Sequence, residues 1–146
     1  MNELKLMASD ETLYTVLGEL EQLLDENKCP ETLKMAMLVA VEEIFVNIAH
    51  YAYGGAEGEA VVSLDVVPDS RCCRVVFRDK GTPYNPLEKA DPDITLSAEE
   101  RQIGGLGIYM VKQSMDKVEY RYEDGCNILT IEKCIDESKE DDEKKL

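Results

Sequence analysis

Residues 41–55 read VEEIFVNIAHYAYGG, the end of a helical pattern that starts at Pro30 and is closed by Gly54 and Gly55. At 100° per residue, Leu38, Val41, Phe45, Ile48 and Ala52 gather on one side, which is expected to face a sheet. Glu43, Asn47 and His50 are spaced four and three apart and share the opposite side. A solvated face would account for this triplet, but Ala36, Val39, Ala40 and Val46 lie on that side too. A helix apolar almost all round is buried on most sides. Burying a neutral polar group without a partner costs ~2–7 kcal/mol, and a charge costs more. Any fold of this chain must therefore bury the helix and still give these polar groups partners. A ligand cavity bringing water and a metal would do so.

The other elements narrow the architecture. LKLMA (4–8) reads as a short strand, and Ser9 or Asp10 can cap a helix to about Asn27 with Leu13, Val16, Leu17, Leu20, Leu23 and Leu24 as its apolar stripe. EAVVSLDVVP and RCCRVVFRD are rich in β-branched residues and flank a PDS turn. From Gly81 to Ile103 the periodicity disappears and Pro83, Pro86 and Pro92 interrupt the chain. A loop of about twenty residues inside a compact domain is more often functional than idle. A third helix follows from Gly105 to about Met115, then a hairpin of VEYRYED and CNILTIEKC about Gly125. Helices and strands run in blocks without βαβ alternation. That argues an α+β two-layer sandwich, with a mostly antiparallel sheet and helices on one face.

The length, 146 residues, suits one domain over 1–135, followed by DESKEDDEKKL (136–146), an acidic tail expected to fray. No apolar run approaches the ~18 residues of a membrane span, and the first residues lack the apolar core of a signal peptide, so the expected location is the cytoplasm. The formal net charge of -15 without a basic stripe speaks against nucleic acid or a membrane surface as partner. It favours solubility or a basic protein partner. Cys29, Cys72, Cys73, Cys126 and Cys134 show no metal-ligand spacing. They are expected to be buried, reduced thiols, with Cys72 and Cys73 on opposite faces of a strand.

Two further segments carry chemistry. RDKGTPYNP (78–86) ends a strand with Asp79 and turns at Gly81. IGGLGIYMV (103–111) sets glycines just before a helix, where free backbone N–H groups and the helix dipole suit phosphate. It is neither a P-loop nor a dinucleotide fingerprint, since no GKS or GKT follows and no strand feeds it directly. Taken in order, EEIFVNIAHYAY, DKGTPYNP and GGLGIYMVKQSMD resemble the Bergerat-fold ATP-binding domains shared by gyrase, heat-shock chaperone ATPases and histidine kinases. Within that superfamily the chain is most similar to the anti-sigma-factor serine kinases, over about residues 5–134.

The resemblance implies roles by position. Asn47 would coordinate Mg²⁺, and Glu43 would be the general base for the attacking hydroxyl. Asp79 would accept a hydrogen bond from the adenine amino group, with Gly81 admitting the base to the backbone. Residues 82–103 would form an ATP lid, and Gly104, Gly105, Leu106 and Gly107 would receive the phosphates. His50, one turn past Asn47, would either reach a phosphate or be structural. Members of the group carry an arginine immediately before the glycine segment; here Arg101 stands further upstream, with Gln102 and Ile103 between. The implied function is ATP-dependent phosphorylation of a small anti-anti-sigma antagonist, with sequestration of a sigma factor, by a homodimer that meets through its first strand and helix. The alternative is an ATP-binding module that regulates its partner by contact alone. A complete histidine kinase is not expected, since no dimerisation helices precede the domain.

Overall fold

The computed structural model describes residues 2–88 and 105–135. In chain order the elements are β1 (Asn2–Met7), α1 (Asp10–Glu26), α2 (Glu31–Asn47), a π-helical turn (Ile48–Ala52), β2 (Glu59–Val67), β3 (Cys72–Asp79), a 3-10 turn (Pro86–Glu88), α3 (Gly105–Ser114), β4 (Lys117–Glu123) and β5 (Cys126–Cys134). One sheet has the order β1-β2-β3-β5-β4, and every neighbouring pair is antiparallel. This is the α+β two-layer sandwich expected from the element order. Among the described residues no helix is long and apolar enough to cross a membrane. The tail 136–146 and most of the expected lid lie outside the described residues.

Local chemistry sets the element ends. Ser9 caps α1 through a capping box: its Oγ accepts from Thr12 N at 3.1 Å, and Thr12 Oγ1 accepts from Ser9 N at 3.1 Å. At the other end, the Arg71 guanidinium donates to the Asn27 carbonyl at 2.7 Å, so the β2–β3 turn caps a helix whose last turn holds no cation. Asp124 and Gly125, with φ of 54° and 77°, form the β4–β5 turn. Both sit in the left-handed region, where Asp-Gly is the favoured pair for a tight hairpin.

The core joins Val16, Leu20 and Leu24 of α1 and Met37, Val41 and Phe45 of α2 to Val62, Leu64, Val75, Phe77 and Ile131 of the sheet. Leu17 and Leu23 of the α1 stripe are only partly buried. Helix α2 and the turn that follows it bury Val41, Phe45 and Ile48 as expected, but the buried surface is wider than the expected face. Ala40 and Ile44 belong to the core, whereas Leu38 is only partly buried. The physical reason is that α2 covers the sheet while flanked by both α1 and α3, so its apolar surface is used on three sides.

The cysteines correct a second expectation. Cys72 and Cys134 are register partners across β3 and β5 and are joined by a disulfide. Their separation of 62 residues in the chain hides a pairing that the strand register creates. Cys29, Cys73 and Cys126 are free thiols. Burial pushes Cys73 up to about 12, and it raises Cys29 as well. Cys73 faces the core and Cys72 does not, as the alternation requires. Alkylation of the native protein followed by mass spectrometry should leave Cys72 and Cys134 unmodified until reductant is added, and Cys73 unmodified until the chain unfolds. Free labelling of Cys72 and Cys134 without reductant would refute the pairing.

Candidate functional site

The site forms where the end of α2 meets the end of β3. The α-helical hydrogen bonding of α2 stops at Asn47, and the next five residues make a π-helical turn, although the sequence pattern reads as helix to Tyr53. Such widened turns are rare and recur at functional sites. The Ala52 carbonyl accepts from Thr82 N at 2.9 Å, which ties the turn to the chain leaving β3. Gly81 packs so closely there that a Cβ would collide with that same carbonyl oxygen. Tyr53 reinforces the junction: its hydroxyl accepts from Lys80 N at 2.9 Å and donates to the Glu59 carbonyl.

A cavity of about 540 Å³ opens beside this junction, within the usual range for small-molecule sites. Ile44, Ile48, Phe77, Ile108 and Leu129 give it apolar walls, and Tyr51, Tyr84 and Tyr120 add aromatic rings. Asn47, Asp79, Thr82 and Asn127 are its polar members, and among the described lining residues Asp79 is the one charged group. Apolar and aromatic walls around a few convergent polar groups suit a planar heterocycle.

Asp79 is 6% exposed, and its burial demands partners. Its Oδ1 accepts from Gly81 N at 2.9 Å and from Asn127 Nδ2 at 3.0 Å. Asn127 stands directly across from Asp79 in the β3–β5 register. Its Oδ1 accepts from Tyr84 N at 3.1 Å and from the Tyr120 hydroxyl. Burial raises the Tyr120 phenol above its ordinary value. Thr82 belongs to the start of the expected lid, whereas Asn127 and Tyr120 are not among the residues that the sequence pattern singles out. The available signal was an asparagine at the inward phase of a strand whose other inward residues, Leu129 and Ile131, are apolar.

The expected residues fall into three groups. Asn47 and Asp79 line the cavity together, and Gly81 closes the junction beside them. Glu43, one turn before Asn47, is half-buried, and its carboxylate lies where a Cβ on Gly107 would be. The carboxylate thus rests against the first turn of α3, which Gly105, Leu106 and Gly107 open and whose Ile108 lines the cavity. His50 is placed elsewhere. Its Nε2 sits 2.8 Å from Asp10 Oδ1, in the first turn of α1, and it is not part of the cavity wall. Beyond the π-helical turn the imidazole faces α1. Arg101 and Gly104 lie outside the described residues.

A family model described as a histidine kinase-like ATPase domain matches residues 6–133. The chain belongs to the histidine kinase-like ATPase family. It is 24% identical over 128 residues to the serine/threonine-protein kinase BtrW of Bordetella bronchiseptica, covering 88% of this chain and 89% of that protein. It is 30% identical over 113 residues to the serine-protein kinase RsbW of Listeria monocytogenes, covering 74% and 71% respectively. Within the histidine kinase-like ATPases it therefore stands among the protein serine/threonine kinases, and ATP is the nucleotide such a domain uses. The crystal structure of the RsbU and RsbW domains of Rv1364c from Mycobacterium tuberculosis has the same fold, with a TM-score of 0.61 at 16% identity. That match covers 91% of this chain and 32% of the mycobacterial one. A blue-light activated histidine kinase from Erythrobacter litoralis follows at 0.58 and 14%, covering 88% and 43%.

The two glycine contacts differ in what must move, and substitution should separate them. Gly81→Ala forces backbone apart and is expected to cost about 1–3 kcal/mol, the usual penalty of overpacking, seen as a lower melting temperature. Gly107→Ala needs only the far end of the Glu43 side chain to shift, so its melt should stay close to wild type. Equal melting temperatures for wild type and Gly81→Ala would refute the tight junction.

Proposed function

We propose that this chain is an ATP- and Mg²⁺-dependent protein serine/threonine kinase that phosphorylates a small antagonist of the anti-anti-sigma type. It also sequesters a sigma factor or similar regulator, and it works as a homodimer in the cytoplasm. The observation that carries the reading is the buried, doubly anchored Asp79 in an apolar and aromatic cavity that it shares with Asn47.

The residues present suit the two bound groups. Asp79 offers a fixed acceptor to the adenine amino group, and Gly81 leaves room for the base at the backbone. The Asn47 amide oxygen is a hard ligand appropriate to Mg²⁺, which usually keeps several waters and so needs few protein ligands. The first turn of α3, with Gly105 and Gly107, offers N–H groups that have no partner within the helix and a positive dipole end for phosphate. Bound Mg²⁺ would neutralise phosphate charge, which with positioning supplies most of the rate in phosphoryl transfer. Glu43 holds its carboxylate against that same turn and can take the proton of an attacking serine hydroxyl.

Saturating ATP with Mg²⁺ should raise the melting temperature. A ligand at 100 times its dissociation constant stabilises by about 2.7 kcal/mol, or roughly 5–10 °C for a chain of this size. Unchanged melts together with blank calorimetry at millimolar nucleotide would overturn the reading. Phosphoryl transfer to a cognate antagonist then separates the roles. Glu43→Ala should keep ATP affinity and lower the transfer rate by ~10²–10⁴-fold. Asp79→Asn should weaken ATP binding by about tenfold to a hundredfold. Asn47→Ala should weaken the Mg²⁺ dependence of binding. A wild type that binds ATP and transfers no phosphate to any cognate antagonist would be a contact regulator instead.

A further inference from the structure

Asn127 is a side chain whose every polar atom is engaged. Nδ2 donates to Asp79 Oδ1 at 3.0 Å and to the Thr82 carbonyl at 3.0 Å, with the Gly81 carbonyl at 3.4 Å. Oδ1 accepts from Tyr84 N at 3.1 Å and from the Tyr120 hydroxyl. These partners fix the amide orientation. A flipped amide would set its NH₂ against two donors and its oxygen against a carboxylate and two carbonyls. The NH₂ therefore faces Asp79, and with the Gly81 N–H it places two donors on Oδ1. Among the described residues no donor reaches Oδ2, the oxygen left for a ligand in the cavity that Asp79 lines.

We infer that Asn127 is a positioning residue that sets the base specificity of the cavity, by locking the Asp79 carboxylate so that one oxygen, an acceptor only, meets the base. The inference rests on reading the cavity as an ATP site. A locked acceptor favours a purine with a 6-amino donor. A purine with a 6-oxo group sets acceptor against acceptor, and buried groups left unpaired discriminate strongly. The same side chain holds residues 81, 82 and 84, so the wall beside the base and the group that reads it share one anchor. Without the amide, the carboxylate keeps only the Gly81 N–H and is free to rotate. The vacated space is polar and admits water. A water there can donate to both the carboxylate and a 6-oxo group, which removes the basis of discrimination.

The test compares dissociation constants for ATP and inosine triphosphate, which differ in the 6-substituent and in the proton that the 6-oxo purine carries at N1, on the full chain with Mg²⁺. Wild type should prefer ATP by about tenfold to a hundredfold, the worth of one charge-assisted hydrogen bond. Asn127→Ala should lose ATP affinity while keeping most of its inosine triphosphate affinity, so that the preference falls to about threefold or less. Tyr120→Phe removes one of the two donors that pin the amide and lies on an edge strand that tolerates the change; it should narrow the preference part of the way. If Asn127→Ala fails to fold, Tyr120→Phe decides. A purely structural role for Asn127 would weaken both nucleotides alike, and a preserved ratio in the folded variants would overturn the inference. A wild type that binds ATP and inosine triphosphate equally would overturn this inference and leave the ATP reading standing, whereas one that binds neither would overturn the ATP reading, and this inference with it.

Discussion

The carbonyl oxygen of Ala52 is the point on which the cavity hangs. It closes the π-helical turn at the end of α2, accepts the Thr82 N–H, and leaves no room for a side chain on Gly81. The carbonyls of a helix's last turn have no partner within the helix, and this one is taken up by the segment that leaves β3. The cavity is the wedge between helix and strand that this single contact holds, with Asn47 on one wall and Asp79 on the other.

Asp79 is a carboxylate taken out of water, and it would be unfavourable if left bare. The anchor that makes it tolerable also makes it useful. Donors from Gly81 and Asn127 satisfy one oxygen, and Asn127 is held in turn by Tyr84 and Tyr120. In a site of low dielectric, hydrogen bonds to such a group are stronger than in water, provided that the network is complete. The same network ties the chain that leaves β3 to β5, so the position of the cavity wall and the orientation of the acceptor are one property.

Most of the fold was legible in the sequence because its periods are clean. The α1 stripe, the β-branched runs and the Asp-Gly turn each give one local answer, and the block order of helices and strands left few architectures open. The positions of Asn47, Asp79 and Gly81 could be read because the site uses short motifs in a fixed order. Three things could not be read. The π-helical turn leaves no mark on the apolar pattern, and it is what places His50 beside Asp10. Cys72 and Cys134 meet only through the β3–β5 register. Asn127 matters for what stands across from it, and that partner lies 48 residues away. Helical phase also misled at Ala40, since α2 has neighbours on three sides and no single face to point inward.

The strand order has a consequence in time. Asp79 is made early, on a hairpin with β2 that closes locally, but its partner strand β5 is the last element of the sheet in the chain. Pairing β3 with β5 closes a long loop, and contacts of high sequence separation form late because the entropy of closure precedes their reward. A chain emerging from the ribosome therefore presents β1, α1, α2, β2 and β3 before Asp79 can meet Asn127. Until β5 docks, the carboxylate is open to water and free to turn. The full anchoring of the Asp79 carboxylate thus arrives with the final strand.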